Sequence, residues 1–104
     1  MNTSIVKYKG NLQTEITHLK SSSTYLTDAP VDNNGKGSNF SPTDLTATAL
    51  ASCMITVVGI YCNQNGINFS NAIASVKKTM GDHPRRIIQI NIDLDLSNNN
   101  FSEK

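Results

Sequence analysis

Residues 41–62 read SPTDLTATALASCMITVVGIYC, the longest uninterrupted helical pattern in the chain. Ser41 is predicted to cap a helix, and Pro42 takes the first helical position, where a backbone N–H is not needed. Asp44 completes a capping box with Ser41. The predicted helix runs to about residue 63 and, at about 1.5 Å per residue, is roughly 33 Å long. A helix of that length crosses a small domain from edge to edge.

The same helix is almost free of charge. Residues 45–62 contain no charged side chain over 18 positions, about the lower limit for crossing a bilayer. Three threonines, a serine and a glycine make it too polar for a membrane span to be favoured. A buried central helix is therefore predicted, and no membrane partner is expected.

Short strands are predicted on both sides of the helix. Residues 4–9 and 12–19 carry β-branched and aromatic residues around a Gly10-Asn11 hairpin turn, and residues 25–27 form a third strand. Residues 72–80 form a strand after the helix.

The last strand has the clearest pattern. After a turn at residues 81–84, an apolar series alternates with polar residues, which is typical of a strand with one buried face. The series consists of Ile88, Ile90, Ile92, Leu94 and Leu96. The order of elements predicts an α+β fold in which an antiparallel sheet wraps a long central helix.

Size and charge limit the function classes. The chain has 104 residues and 11.3 kDa, which predicts a single domain over residues 1–104. Nine Lys and Arg against eight Asp and Glu give a net charge of +1, with no basic patch for nucleic acid or an anionic membrane. A domain this small with a largely uncharged helix is expected to need a partner, and a homodimer is the commonest arrangement.

The N-terminal residues predict the compartment, and the compartment predicts the state of the cysteines. Residues 1–7 do not have the pattern of a secretory signal, so a cytoplasmic location and free thiols are expected. Cys53 and Cys62 are not spaced as a zinc half-site, and only His18 and His83 could complete one. No metal and no cofactor are predicted.

Cys53 is the residue with most chemical interest. A thiol becomes a nucleophile as the thiolate, which a helix N-terminus, a cation or a base can stabilise. Cys53 follows Pro42 by 11 residues, roughly 16 Å along the helix, where the helix dipole helps little. It therefore needs a cation or a donor from elsewhere, and the alternative is a small core residue. Cys62 lies on the opposite helix face, so it is expected to be structural or an exposed thiol near the helix end.

The other polar candidates are weaker. His18 is predicted on a strand surface, where it could polarise a ligand, and His83 lies in a Gly-Asp-His-Pro turn that its neighbours explain. In an alternating strand one of Arg85 and Arg86 points inward, where it could be a site cation or could cover the sheet edge.

Two stretches carry a resemblance to a known family. Residues 40–45, FSPTDL, lead through a series of alanines to Ser52-Cys53-Met54, and residues 75–90 follow in order. This arrangement resembles the OsmC/Ohr family, in which a proline-containing helix start leads to a cysteine near mid-helix. The family forms intertwined homodimers that reduce organic hydroperoxides by thiol chemistry, and the resemblance implies both here.

The resemblance assigns expected roles to individual residues. Cys53 matches the peroxidatic cysteine. The orienting carboxylate of peroxidase members follows the proline, where this chain has Thr43, and Asp44 matches members with the acid one residue later. Family members also use an arginine before the helix, whereas Arg85 is the first arginine in this chain.

The activating cation therefore remains open. Lys20 or Lys36 could supply a charge without the paired N–H groups of arginine, and Arg85 or Arg86 could do so if the fold brings them to the site.

The second family cysteine belongs to a Cys-Pro pair near the C-terminus, in a region this chain lacks. An external thiol would then reduce oxidised Cys53. Ser102 is predicted to cap a further helix, and the resemblance implies that a final helix and strand of roughly 30 residues are missing. The alternative functions are a non-catalytic dimer that binds a small apolar ligand, and an inactive truncated member of the family.

Overall fold

The computed structural model describes residues 2–97, which form two antiparallel sheets and one long helix. The α+β class and the order of elements agree with the prediction. The elements are β1 (Ser4–Gly10), β2 (Gln13–His18), β3 (Thr24–Asp28), a short 3₁₀ helix (Val31–Asn33), α1 (Pro42–Gln64), β4 (Ile73–Gly81) and β5 (Arg86–Asp95). The helix start predicted at Ser102 lies outside the described residues.

The strands form two sheets where one was expected. The first has the order β1-β2-β3, and the second contains β4 and β5. They belong to two compact units, Met1–Leu45 and Thr46–Lys104. Periodicity predicts strands but not which strands pair, so the number of sheets could not be predicted from the sequence pattern.

The β1–β2 hairpin turns one residue later than predicted. The turn residues are Asn11 and Leu12, with φ of 56° and 62°, and Lys9 forms a bulge before them. Two successive positive φ values are typical of a type I′ turn, whose twist matches that of the flanking strands. Asn tolerates this conformation, whereas Leu is strained in it.

A buried carboxylate organises the end of β3. Asp28 is 1% exposed, and its two oxygens accept hydrogen bonds from Gln13 Nε2 at 3.1 Å and Asn39 Nδ2 at 2.9 Å. The backbone N–H of Asp28 donates to the carbonyl of Phe40 at 3.1 Å. These bonds tie β2 and β3 to the residues just before α1.

The capping box at the start of α1 is confirmed. The backbone N–H of Asp44 donates to Ser41 Oγ at 3.0 Å, and the Ser41 N–H donates to Asp44 Oδ2 at 3.2 Å. At the other end the Ile67 N–H bonds the Cys62 carbonyl at 2.9 Å, and Gly66 has φ of 66°. That pattern is a Schellman motif, in which glycine adopts the left-handed conformation at low cost.

The prediction that α1 is buried is wrong for the single chain. Only Ala47, Ala51 and Cys62 are buried along its 23 residues. Helix α1 is also the one helix among residues 2–97 that is long and apolar enough to cross a membrane, a test that core helices of soluble proteins pass too. Burial depends on what surrounds a helix, and most side chains of this one are exposed or half-buried in the single chain.

The second sheet departs from the predicted alternation at one residue. Thr79 pairs with Gln89 and Met80 with Ile87, so Ile88 is an extra residue on β5 and forms a β-bulge. Ile88 was predicted on the buried face, but it is 56% exposed because the bulge reverses the alternation there. Beyond Gln89 the pattern follows the prediction at Ile90, Ile92 and Leu96, which are half-buried, whereas Leu94 was also predicted on the buried face but is 37% exposed near the end of β5.

Candidate functional site

Cys53 lies on an exposed apolar face of α1. At about 100° per residue, Leu50, Val57 and Ile60 lie within about 60° of Cys53 around the helix, and Met54 lies about 100° from it on the same side as Leu50 and Val57. These four side chains are 38–58% exposed, and Cys53 is exposed as well. We call these five residues the outer face of α1. The alternative that Cys53 is a small core residue is therefore wrong for the single chain, and its thiol is open to a reagent.

Neither the helix start nor a hydrogen bond acts on the Cys53 thiol within the described part of its own unit. Cys53 is the twelfth residue of α1 and lies beyond the first turn, where the helix dipole acts most strongly. In the described part of the second unit, residues 46–97, no side chain forms a hydrogen bond with Cys53. A hydrogen-bond donor to its thiolate would come from outside these residues.

Cys62 differs from Cys53 in exposure to solvent. It is 5% exposed, its carbonyl takes part in the C-terminal cap of α1, and both cysteines are free. Nine residues separate the two, which places them on opposite sides of the helix. Cys62 is a structural residue, one of the two alternatives that the sequence left open.

The two predicted orienting residues belong to the helix cap. Asp44 exchanges two hydrogen bonds with Ser41, and Thr43 Oγ1 lies 3.1 Å from Ser41 Oγ. These contacts give both residues a structural role at the start of α1. An orienting role toward the thiol remains a prediction.

The two predicted arginines lie around the β4–β5 turn. Arg86 Nη1 donates to the carbonyls of Asp82 at 2.9 Å and Pro84 at 2.8 Å. Its guanidinium thus holds its own turn together. Arg85 is exposed in that turn, and His83 is exposed beside it.

Three further candidates lie in the first unit. His18 Nδ1 lies 2.6 Å from Ser21 Oγ at the exposed end of β2, as expected for a surface histidine. Lys20 and Lys36 are exposed. Among residues 2–97, no three His, Cys, Asp or Glu side chains are grouped so that they could hold a metal ion.

A cavity that sequence reasoning missed lies between α1 and β4. Its volume is about 310 Å³. Its walls are Thr48, Ala51, Ser52, Ile55 and Thr56 from the helix, and Ala74 and Val76 from the strand. These helix residues centre on a face roughly 130° from Cys53. The one signal for it in the sequence is the row of hydroxyl residues at positions 48, 52 and 56, four apart on an otherwise apolar helix.

Comparison with known proteins identifies the class. The profile of the OsmC-like protein family matches residues 35–104. A crystal structure from Psychrobacter arcticus 273-4, described provisionally as an osmotic stress induced and detoxification response protein, is similar to this chain with a TM-score of 0.92 and 46% sequence identity. The match covers 99% of this chain and 74% of that one. None of the curated protein sequences compared matches the chain.

The fold is thus that of an OsmC-like α+β protein with a cysteine in its long helix. The chain belongs to the OsmC-like family, as the resemblance of residues 40–54 implied.

Proposed function

We propose that this protein reduces organic hydroperoxides with the thiol of Cys53. The observation that carries the proposal is the exposure of Cys53 beside the apolar side chains of the outer face of α1, in a chain of the OsmC-like family. The similar Psychrobacter protein is described in terms of osmotic stress and detoxification, which agrees with a defensive role.

The proposed reaction has one chemical step on the protein. The Cys53 thiolate attacks one oxygen of the hydroperoxide, an S–O bond forms, and the O–O bond breaks. The leaving alkoxide takes up a proton and departs as an alcohol. Sulfur is oxidised by two electrons to a sulfenic acid, and the peroxide is reduced by the same two electrons.

The surroundings of Cys53 favour an apolar substrate. Leu50 and Val57 flank the thiol on one side with apolar side chains, and on the other side the hydroxyl of Thr56 already donates to the Ser52 carbonyl at 2.9 Å. An alkyl or aryl group on the hydroperoxide would cover apolar surface of these side chains, at roughly 25 cal/mol per Å². A small organic hydroperoxide is therefore the proposed substrate.

An external thiol completes the proposed cycle. Cys62 cannot reach the sulfenic acid, because it is buried on the opposite side of α1. One external thiol condenses with the sulfenic acid to a mixed disulfide and water, and a second thiol releases Cys53 as a thiol and forms the external disulfide. No cofactor is needed for this balance.

We also propose that the active form is a homodimer in which a second copy covers part of the outer face of α1. Four large apolar side chains exposed around one thiol are more than a monomer usually leaves in water. A second copy would also bring side chains to Cys53 that its own unit does not supply. Arg85 is one candidate for the activating cation.

Intact-mass spectrometry tests the proposal. The Cys62→Ser variant leaves one thiol per chain, and brief treatment with cumene hydroperoxide is expected to add one oxygen atom at Cys53 and to release cumyl alcohol. An excess of dithiothreitol should then restore the original mass. The Cys53→Ser variant is the matched control and should gain no oxygen under the same treatment.

The rate decides between the proposed enzyme and an inactive member. Cys53 should react with cumene hydroperoxide at least about a hundredfold faster than free cysteine at the same pH, since an active site must both stabilise the thiolate and bind the substrate. A rate equal to that of free cysteine, in folded protein, would overturn the proposal.

A further inference from the structure

The cavity between α1 and β4 has two kinds of wall. Ala51, Ile55, Ala74 and Val76 provide an apolar surface, while Thr48 and Ser52 add hydroxyl groups along one side. The hydroxyl of Thr56 donates to the Ser52 carbonyl at 2.9 Å and is engaged within the helix. A volume of about 310 Å³ lies at the lower end of the range for small-molecule pockets, roughly 300–1,000 Å³.

A lysine lies next to this cavity on the same face of β4. Successive residues of a strand point to opposite faces, so Lys78 shares the face of Ala74 and Val76. Burial agrees with this, because Lys78 and its cross-strand partner Ile90 are half-buried, whereas Lys77 and its partner Asn91 are exposed on the other face. Lys78 therefore lies on the face of β4 that lines the cavity, and Lys77 lies on the opposite face.

A lysine on an apolar face places its charge at the edge of that face. Its methylene groups pack along the apolar surface while its ammonium extends toward polar surroundings. Two residues along a strand span roughly 7 Å, which a lysine side chain can cover. An ammonium has three N–H donors, so it can bind an anion in addition to any protein partner that it has.

We propose that this cavity binds a medium-chain monocarboxylate, with the hydrocarbon chain between α1 and β4 and the carboxylate on Lys78. One cation complements one carboxylate, and the apolar wall complements an unbranched alkyl chain. The site uses a face of α1 that is centred roughly 130° from Cys53, with Thr56 at its edge about 60° from that cysteine. The proposal does not depend on the peroxide chemistry proposed for Cys53.

Titration of ¹⁵N-labelled protein with octanoate, below its micelle concentration, tests the proposal. Octanoate should shift the amide signals of Ala51, Ser52 and Val76. It should bind about tenfold more tightly than octan-1-ol, because only the carboxylate forms a charge-assisted hydrogen bond with the ammonium. Octylammonium, which has the same chain and the opposite charge, should bind more weakly than octan-1-ol.

The adjacent lysines provide a matched pair of variants. Lys78→Met should weaken octanoate binding about tenfold and leave octan-1-ol binding unchanged. Lys77→Met removes the same charge from the opposite face of β4 and should change neither. The amide spectrum of each variant also reports whether it is folded, so a loss of binding is not confused with a loss of structure.

Several results would overturn the proposal. They are equal affinities for octanoate and octan-1-ol, equal effects of the two lysine variants, and amide shifts confined to the outer face of α1. Octanoate affinity that falls as protein concentration rises would mean that a second copy occupies the cavity instead. The Cys53→Ser variant should bind octanoate as the native chain does, which separates this test from that of the peroxide reaction.

Discussion

Asn39 Nδ2 donates a hydrogen bond of 2.9 Å to Oδ2 of Asp28, a carboxylate that is 1% exposed. Gln13 Nε2 binds the other oxygen of the same carboxylate. Two neutral amides thus satisfy a buried acid that joins two strands to the segment leading into α1. An acid in such a place is tolerated only while its hydrogen bonds are made.

Asp28→Ala is expected to lower the free energy of unfolding by about 2 kcal/mol. The substitution removes two hydrogen bonds to a buried carboxylate, from Gln13 and Asn39, and each contributes about 1 kcal/mol net. Urea unfolding followed by circular dichroism measures the change. The control is Asp93→Ala on the exposed face of β5, which should change stability by less than about 0.5 kcal/mol. Equal effects of the two variants would contradict the structural role of Asp28.

Leu12→Gly is expected to stabilise the protein by about 0.5 kcal/mol. Leu12 has φ of 62°, a conformation that costs an L-residue roughly 1–2 kcal/mol and glycine very little. Part of this gain is lost to the flexibility of glycine in the unfolded chain.

Leu19→Gly provides the comparison for that variant. Leu19 is also an exposed leucine in a turn, but it does not have a positive φ. It should lose stability on conversion to glycine, because no strain is relieved. The midpoints of thermal unfolding should therefore move in opposite directions, and a fall for both variants would exclude relief of strain at Leu12.

Local signals predicted the fold well where they act within a few residues. The Ser41 and Asp44 cap needs only its own turn, and the alternation after Gln89 needs only one strand, so both were readable. The bulge at Ile88 could not be predicted from the sequence. It arises from the pairing of β5 with β4, and no residue type near Ile88 indicates it.

The candidate site was only partly predictable for a similar reason. The resemblance of residues 40–54 singled out Cys53, but its exposure depends on what surrounds α1. The role of Arg86 depends on the shape of its own turn, where the carbonyls of Asp82 and Pro84 accept its hydrogen bonds. Neither contact follows from the order of residues.

The two cysteines should differ in accessibility. In the native protein a maleimide reagent is expected to label Cys53 at least about tenfold faster than Cys62, because a buried thiol reacts only after local opening of the structure. Peptide mapping after a short exposure measures the ratio. In urea the two rates should converge, and a large difference that persists there would point to a cause other than burial.

Val57→Asp is expected to shift the proposed dimer toward monomer. A charge placed in an apolar contact between subunits must be desolvated, which would weaken association by at least about tenfold. Val31→Asp is the same change at a residue that is 75% exposed in the 3₁₀ helix, and it should leave the assembly unchanged.

Sedimentation velocity at several concentrations distinguishes the outcomes for Val57. If the native chain and the Val57→Asp variant sediment alike at every concentration, the outer face of α1 is not a subunit contact.

Asp95 should ionise at a lower pH than an ordinary aspartate. Hydrogen bonds from the side chain and then the backbone N–H of Ser97 lower the pKa of Asp95, and the N–H lies 2.9 Å from Oδ1. A lowered folded pKa adds stability above the unfolded pKa, and that stability is lost as pH falls through the folded pKa. Ser97→Ala should raise the pKa of Asp95 without removing the shift entirely, because the backbone donor remains.

Carboxyl ¹³C chemical shifts followed against pH measure this change at Asp95 directly. If Ser97→Ala leaves the Asp95 titration where it was, the side-chain hydrogen bond is not the main cause of the lowered pKa.

The bulge at Ile88 bears on how the β4–β5 hairpin can change length. Residues beyond Gln89 take their orientation from pairing with β4, whereas Arg86 and Ile87 take theirs from the turn. Deleting Ile88 would give the two strands equal numbers of residues without inverting the apolar face of either. The hairpin thus carries one spare residue, at a point where a one-residue deletion leaves Lys78, Ile90 and Ile92 on their original faces.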